Sequence, residues 1–276
     1  MAETTASVVD TVILGVLNVT PDSFSDGGLW IDTDAAIAHA TALVAEGADL
    51  IDVGGESTRP GAERVDPIAE QRRVIPVIAA LSAAGIAVSV DTMNSSTAVE
   101  AVAAGAAVVN DVSGGLADPD MAAAVAGLDV HYVAMHWRGH SKHMNELARY
   151  GDVVADVRSE LAERVEALLA AGISSDRIIL DPGLGFAKRA EHDWQLLGNL
   201  ESLATLGHPI LVGASRKRFL GALLPADAPV AERDLPTAVV SALSARAGVW
   251  GVRVHDVAGT RRALDVVRAW QGGERG

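Results

Sequence analysis

Residues 87–112, AVSVDTMNSSTAVEAVAAGAAVVNDV, contain the repeating unit that decides the fold. Two short apolar runs rich in valine, at 87–92 and 106–112, flank an alanine-rich segment that is long enough to form a helix. Gly105 lies between that segment and the second run, where a glycine commonly ends a helix. The pattern predicts a strand, a helix and a parallel strand, which is the unit of an α/β fold.

The same unit recurs along the whole chain. Eight runs predict eight strands, and each of the first seven is followed by a segment able to form a helix. This alternation favours a single (β/α)8 TIM barrel with its active site at the C-terminal ends of the strands, and a doubly wound sheet is the alternative. We expect the barrel domain over residues 11–272, after a flexible tail at 1–10. The other six runs are VILGVLN (12–18), DLIDVGG (49–55), VHYVAMH (130–136), RIILDPG (177–183), PILVGAS (209–215) and WGVRVHD (250–256).

The helical segments share an ending. In residues 34–46 the spacing predicts a buried face, and Gly47 provides the stop. That face comprises Ile37, Ala40, Thr41 and Val44. Glycines at the same place before later strands predict left-handed turns at Gly85, Gly105, Gly172 and Gly248.

Composition excludes several classes of protein. The 276 residues are 49% apolar, enough for one large core, and the net charge of −14 argues against nucleic acid or anionic membranes as partners. The chain has no cysteine, which excludes disulfides, thiolate zinc sites and a cysteine nucleophile. No run approaches the ~20 apolar residues that span a bilayer. We therefore expect a soluble, cytoplasmic protein.

Four connections are longer than barrel closure requires. Those at 18–32, 55–67 and 137–152 follow the C-terminal ends of predicted strands, where barrel enzymes build their active sites. The fourth, PADAPVAERDLP (225–236), is predicted to be a mobile surface insertion, with an active-site lid as the alternative.

Almost every apolar run ends in hydrogen-bonding side chains. Charged groups are rarely buried without partners, so a ring of them at one end of a barrel indicates a polar ligand or mutual ion pairing. Asp91, Asn110 and Asp181 are suited to a ring that carries amino and N–H donors. The donors Lys217, Arg253 and His255 are suited to an anion. The whole ring comprises Asn18, Asp52, Glu56, Ser57, Asp91, Asn110, Asp111, His136, Asp181, Ser215, Arg216, Lys217, Arg253 and His255.

Two further features concern anions and metals. The sequence SRKR (215–218) is a cluster of positive charge in an otherwise acidic chain. It lies where a predicted strand meets the N-terminus of a helix, which favours a phosphate site over a solvated basic turn. The predicted ring has too few nitrogen ligands for a zinc hydrolase, and no Walker loop, G-x-S-x-G elbow or G-x-G-x-x-G fingerprint is present. Asn18 would suit Mg²⁺ that is held mostly by water and substrate phosphate.

Seven motifs together resemble the dihydropteroate synthase family. They follow the family's order and extend from the first predicted strand to the last. Each is moderately specific alone, and their combination is distinctive. They are NVTPDSFSDGG (18–28), DVGGESTRPGA (52–62), SVDT (89–92), NDVSGG (110–115), LDPGLGF (180–186), GASRKRFLG (213–221) and RVHDV (253–257).

The resemblance implies that p-aminobenzoate displaces pyrophosphate from 6-hydroxymethyl-7,8-dihydropterin diphosphate to give 7,8-dihydropteroate. It implies a dissociative reaction through a pterin cation, with catalytic roles for Asp26, Lys217, Arg253 and His255. Asn18 with Mg²⁺ would complete the diphosphate site. The pterin and strand 7 positions implied are Asp91, Asn110, Met135, Asp181, Phe186, Gly213, Ser215 and Lys217.

The resemblance also implies a p-aminobenzoate site at Thr58, Arg59 and Pro60, a homodimer, and inhibition by sulfonamides, which mimic p-aminobenzoate. Arg218 departs from the family, because many relatives have a serine where this chain has an arginine. Two alternatives remain open, a methyltransferase-like pterin barrel and a non-catalytic pterin-binding paralogue. The first does not need the diphosphate site, and the second would be expected to lose Lys217 or Asp26.

Overall fold

The computed structural model of the chain describes residues 10–20, 33–56, 64–140 and 144–274. Over these ranges eight parallel strands form one sheet in the order β6-β5-β4-β3-β2-β1-β8-β7. The strands are β1 Val12–Asn18, β2 Leu50–Gly54, β3 Val88–Asp91, β4 Val108–Asp111, β5 His131–Met135, β6 Ile178–Asp181, β7 Leu211–Val212 and β8 Gly251–Val254.

The sheet closes between β6 and β7. Leu180 forms a parallel bridge with Ile210, and its N–H donates to the carbonyl oxygen of Pro209 at 2.9 Å. This closure confirms the TIM barrel over the doubly wound alternative. The strand predicted at 209–215 is shorter in the structure and comprises only Leu211–Val212. After Val212 the chain leaves the sheet and forms a turn, in which the N–H of Lys217 donates to the carbonyl oxygen of Ala214.

Helices connect the strands around the outside of the barrel. Three short 3-10 helices, at Met144–Leu147, Ser175–Arg177 and Val230–Arg233, lie in the connections. The α-helices in the described ranges are α1 Thr33–Ala45, α2 Pro67–Ala83, α3 Ser95–Ala103, α4 Met121–Ala126, α5 Val153–Ala170, α6 Ala190–Leu197, α7 Leu200–Ala204, α8 Arg218–Gly221, α9 Asp234–Arg246 and α10 Val257–Gly273.

The strands bury side chains on both faces, as the apolar runs predict. Outward residues such as Ile13 and Leu17 pack against the helices in the main core. Inward residues form a separate apolar layer inside the barrel, because successive side chains of a strand point to opposite faces. That layer consists of Leu14, Leu50, Val108, Val133, Ile179 and Leu211.

Helix α1 buries only part of the predicted face, since Ala40 is buried and Ile37 packs against the core as predicted. Ala36, Ala40 and Leu43 are buried, whereas Thr41 and Val44 are exposed. An alanine-rich helix is apolar on several sides, so the elements that pack against it determine which face is buried. Leu43 packs over Gly15, where an added Cβ would lie 3.4 Å from the leucine Cδ1 atom.

The predicted turns before the strands are confirmed, since all five glycines have positive φ, from 75° at Gly85 to 110° at Gly105. The segment 225–236, predicted to be a mobile surface insertion, is largely exposed at the surface. The segment forms the 3-10 helix Val230–Arg233 and the start of α9, and Asp234 makes a two-fold ion pair with Arg216 at 2.7 and 2.8 Å.

Across the described part of the chain, no helix is long and apolar enough to cross a membrane.

Candidate active site

A polar layer lies directly above the apolar layer inside the barrel. Asp52 follows Leu50, Asn110 follows Val108 and Asp181 follows Ile179, each two residues further along its strand. The period of two therefore points these side chains to the interior at the C-terminal ends of the strands. Asp52, Asp91, Asn110 and Asp181 are all buried, so the predicted acceptor half of the ring is assembled.

Arg253 is the central cation of this layer. Its Nε atom donates to Oδ2 of Asp52 at 2.6 Å, and its Nη2 atom donates to Oδ2 of Asp91 at 2.7 Å. Asn110 donates to the same Asp52 oxygen at 3.1 Å. Arg253 is predicted to belong to the anion-binding half, but in the structure its guanidinium is bonded to the carboxylates of Asp52 and Asp91.

Asp52 belongs to the polar ring but was absent from the predicted binding residues. Its Oδ1 atom is buried and has no partner among the described residues. The signal that identifies it is the alternation Leu50, Asp52, Gly54, which gives it the same inward face as its neighbours.

Burial dominates the electrostatics of the acceptors. It raises the pKa of Asp91 to about 7, and the Arg253 guanidinium acts against this shift. Burial also raises the pKa of Asp181, with Lys217 as the main opposing charge. A single guanidinium shared by two buried carboxylates leaves the layer with acceptor capacity for a ligand that carries N–H donors.

Lys217 and Asp181 both lie close to Gly213. A Cβ atom on Gly213 would be 3.6 Å from Oδ2 of Asp181 and 3.9 Å from Nζ of Lys217, so the glycine keeps this space open. The Lys217 ammonium donates to the carbonyl oxygen of Leu184 and lies 4.9 Å from the centroid of the Phe186 ring. Burial lowers the pKa of Lys217, and Asp181 opposes that effect.

The four residues of the predicted phosphate motif SRKR make different contacts in the structure. Ser215 Oγ lies 2.9 Å from Nδ1 of His255 and accepts the backbone N–H of His255 at 3.1 Å, which brings these two site residues together. Arg216 is instead bonded to Asp234, and its left-handed φ of 56° turns it away from the strand direction. Arg218 is exposed at the start of α8.

An apolar wall adjoins the polar layer. Met93, Val112 and Met135 form one buried cluster, against which Trp137 and Phe186 pack. The structure therefore brings together Met135 and Phe186, the two predicted contacts for a flat ring. Such a wall beside convergent polar groups is typical of a small-molecule site.

The remaining predicted site residues divide in two. Asp26, Thr58, Arg59 and Pro60 lie outside the described residues. Asn18 ends β1 beside Gly54 at the same rim of the barrel. No group of three or more His, Asp or Glu side chains suited to a metal occurs within the described ranges.

Comparisons with known proteins agree with this geometry. A family model described as "Pterin binding enzyme" matches residues 14–255. The dihydropteroate synthase of Mycobacterium leprae is 52% identical over 269 residues, covering 96% of this chain and 95% of that relative.

Solved structures give the same result. A dihydropteroate synthase from Xanthomonas albilineans with 4-aminobenzoic acid has a TM-score of 0.89 and 44% identity, covering 96% of this chain and 94% of that one. The enzyme from the same organism in complex with 7,8-dihydropteroate has a TM-score of 0.86 and 42% identity, covering 96% and 95%. The family model spans most of the chain, and the relatives match over nearly their full length. The chain therefore belongs to the dihydropteroate synthases within the pterin-binding enzyme family.

Proposed function

We propose that this chain condenses 6-hydroxymethyl-7,8-dihydropterin diphosphate with p-aminobenzoate, giving 7,8-dihydropteroate and pyrophosphate for folate synthesis. The observation that carries the proposal is the buried layer of Asp91, Asn110 and Asp181, with the Lys217 ammonium beside Gly213. The p-aminobenzoate and dihydropteroate bound to the Xanthomonas enzymes support the same substrates here.

The polar layer is suited to the edge of a pterin. Carboxylate oxygens of Asp181 and Asp91 accept hydrogen bonds, and a pterin presents an amino group and ring N–H groups as donors. The Asn110 amide and the Lys217 ammonium would meet the ring oxygen and nitrogen. Met135 and Phe186 would contact the flat faces. Such charge-assisted bonds in an enclosed site are both strong and selective.

The diphosphate would lie towards His255 and Ser215 at the ends of β8 and β7, with Arg253 between this region and the pterin layer. Stabilising the leaving group lets the bond between the exocyclic carbon and the diphosphate oxygen break first. The amine nitrogen of p-aminobenzoate then attacks that carbon and loses a proton. Asp26 would stabilise the intervening cation.

The residues present are compatible with Mg²⁺ as a partner of the diphosphate. Asn18 supplies a neutral oxygen at the rim of the barrel, and the described residues offer no cluster for a metal held wholly by protein. Mg²⁺ commonly takes few protein ligands and completes its shell with water and substrate phosphate. When bound, it would neutralise charge on the leaving pyrophosphate.

The p-aminobenzoate would be held by Thr58, Arg59 and Pro60, with Arg218 near its carboxylate. Arg218 is exposed at the N-terminus of α8, so its side chain is accessible to an anion from solvent. Sulfonamides would compete at this position.

We also propose a homodimer. Exposed apolar side chains recur every four residues along α9, at Leu235, Val239 and Leu243. Val266 and Trp270 extend the surface on α10, which packs beside α9. Several large apolar side chains exposed on two adjacent helices favour an interface.

One assay tests the proposed reaction. Purified protein is supplied with the pterin diphosphate, p-aminobenzoate and Mg²⁺, and both pyrophosphate and dihydropteroate are measured. Equal amounts of the two products support the proposal. Tight pterin binding without pyrophosphate release would identify a non-catalytic paralogue instead.

A further inference from the structure

A buried lysine lies behind the pterin layer and has no part in the proposed reaction. Lys188 is only 5% exposed, and its ammonium donates to the carbonyl oxygens of Gly183 at 3.0 Å and Phe186 at 3.1 Å. It also lies 2.9 Å from Nδ1 of His136. Burial lowers the pKa of Lys188 to about 7. In its protonated form the ammonium has three hydrogens and no acceptor, so each hydrogen then has a partner here.

This contact determines the tautomer of His136. Because Nδ1 accepts from Lys188, the ring proton lies on Nε2, which donates to Oε2 of Glu160 at 2.9 Å. Burial lowers the pKa of His136 to about 4, and Lys188 adds to this effect, so the ring is neutral. Glu160 is held in turn by Arg138 at 3.0 Å. A continuous chain of bonds thus joins residues 183–188 to α5.

The segment anchored in this way carries the contacts of Lys217. Leu184 supplies the carbonyl oxygen for the Lys217 ammonium, and the Phe186 ring lies beside it. Gly185 is tied by its N–H to Asp193 at 2.7 Å. Ala187 has a positive φ of 49°, which is costly for a residue with a Cβ and therefore needs external bonds to persist.

Two lysines therefore share one short loop. Lys188 bonds its carbonyls from behind, and Lys217 bonds one from the side of the site. We propose that Lys188, His136 and Glu160 form a positioning relay that fixes residues 183–187 and thereby places the Lys217 ammonium for the pterin. The inference rests on the proposed function, and Lys188 is a positioning residue because it acts through Lys217 and, by its charge, through Asp181.

The primary test is Lys188→Met, which keeps the length of the side chain and removes its donors. Loss of positioned hydrogen bonds to a charged group should weaken pterin diphosphate binding by ~10- to 100-fold, measured by calorimetry and as KM. KM for p-aminobenzoate at saturating pterin should stay within about 2-fold, because this loop does not carry that site. A merely structural role would lower Tm and leave pterin affinity unchanged.

Arg189→Met is the matched control, because Arg189 is the next residue and its side chain pairs at the surface with Glu191. It should bind pterin as the wild type does. Unchanged pterin affinity in Lys188→Met, or equal losses in both variants, would overturn the relay.

A second pair of variants decides the matter if Lys188→Met does not fold. His136→Asn keeps an acceptor for Lys188 near the Nδ1 position and loses only the bond to Glu160, whereas His136→Leu loses both bonds. The Asn variant should retain pterin affinity within ~3-fold and the Leu variant should lose ~10-fold, as expected for one buried hydrogen bond. Equal affinities would contradict the relay. A wild-type protein that binds no pterin would instead overturn the proposed function.

Discussion

At the scale of single residues, Lys217 tests the pterin site most directly. Lys217→Ala removes a charge-assisted bond worth ~1.5–3 kcal/mol and leaves Asp181 with less compensation in a buried site. We expect kcat/KM to fall by about 10- to 150-fold. Steady-state kinetics on the folded variant measure this. Near-normal kinetics would remove Lys217 from the pterin site.

Asp26 separates chemistry from binding. If its carboxylate stabilises a cation formed only near the transition state, Asp26→Asn should lower kcat by roughly 30- to 1000-fold, or ~2–4 kcal/mol, and leave pterin Kd nearly unchanged. Asn keeps the turn-forming capacity of the DGG sequence at 26–28. A turn role predicts that Asn rescues most of what Asp26→Ala loses. Wild-type kcat in the Asn variant would exclude Asp26 from the mechanism.

At the scale of the element, helix α1 provides a test of which face is buried. Leu43 is 2% exposed, whereas the adjacent Val44 is 38% exposed. Leu43→Ala should lower the free energy of unfolding by ~2–5 kcal/mol, because it leaves a cavity over Gly15. Val44→Ala is the control and should cost less than ~1 kcal/mol. Urea unfolding compares them, and a reversed order would support the face expected from the spacing.

At the scale of the whole molecule, acid should destabilise the fold partly through His136. Its pKa is lowered to about 4 from an ordinary 6.5, so between these values the unfolded chain binds a proton that the native chain does not. The stability contributed by neutral His136 is therefore present above pH 6.5 and is lost as pH falls towards 4.

The size of this effect follows from the shift. The difference in unfolding free energy between wild type and His136→Asn should shrink by about 3 kcal/mol over that pH range. Comparing the two proteins cancels the opposing titrations of Asp91 and Asp181. A pH-independent difference would show that His136 titrates normally in the native state.

The oligomer depends on the exposed surface of α9 and α10. Val239→Lys places a charge in the proposed apolar interface and should convert the dimer to a monomer, as measured by sedimentation. Val99→Lys is the control, because Val99 is also partly exposed but lies on α3. A wild-type protein that sediments as a monomer would contradict the dimer.

Local patterns in the sequence were sufficient for the architecture. Strands and glycine turns are specified by residues that are adjacent in the sequence. For this reason all eight strands and the five turns with positive φ could be predicted from apolar runs and glycine positions. The motifs likewise placed Asp91, Asn110 and Asp181 at strand ends, where a parallel barrel gathers them at one rim.

Only the tertiary structure decided which groups meet. Arg253 and Asp52 are 201 residues apart, and the pairing of β8 and β2 on either side of β1 brings them to 2.6 Å. The buried face of α1 depended on Gly15 beneath it, and the Lys188–His136 contact joins residues 52 positions apart. No local pattern encodes such pairs. The position of a residue in its own strand or helix determines the direction in which its side chain points. Which distant residue it meets there is determined by the packing of the whole barrel.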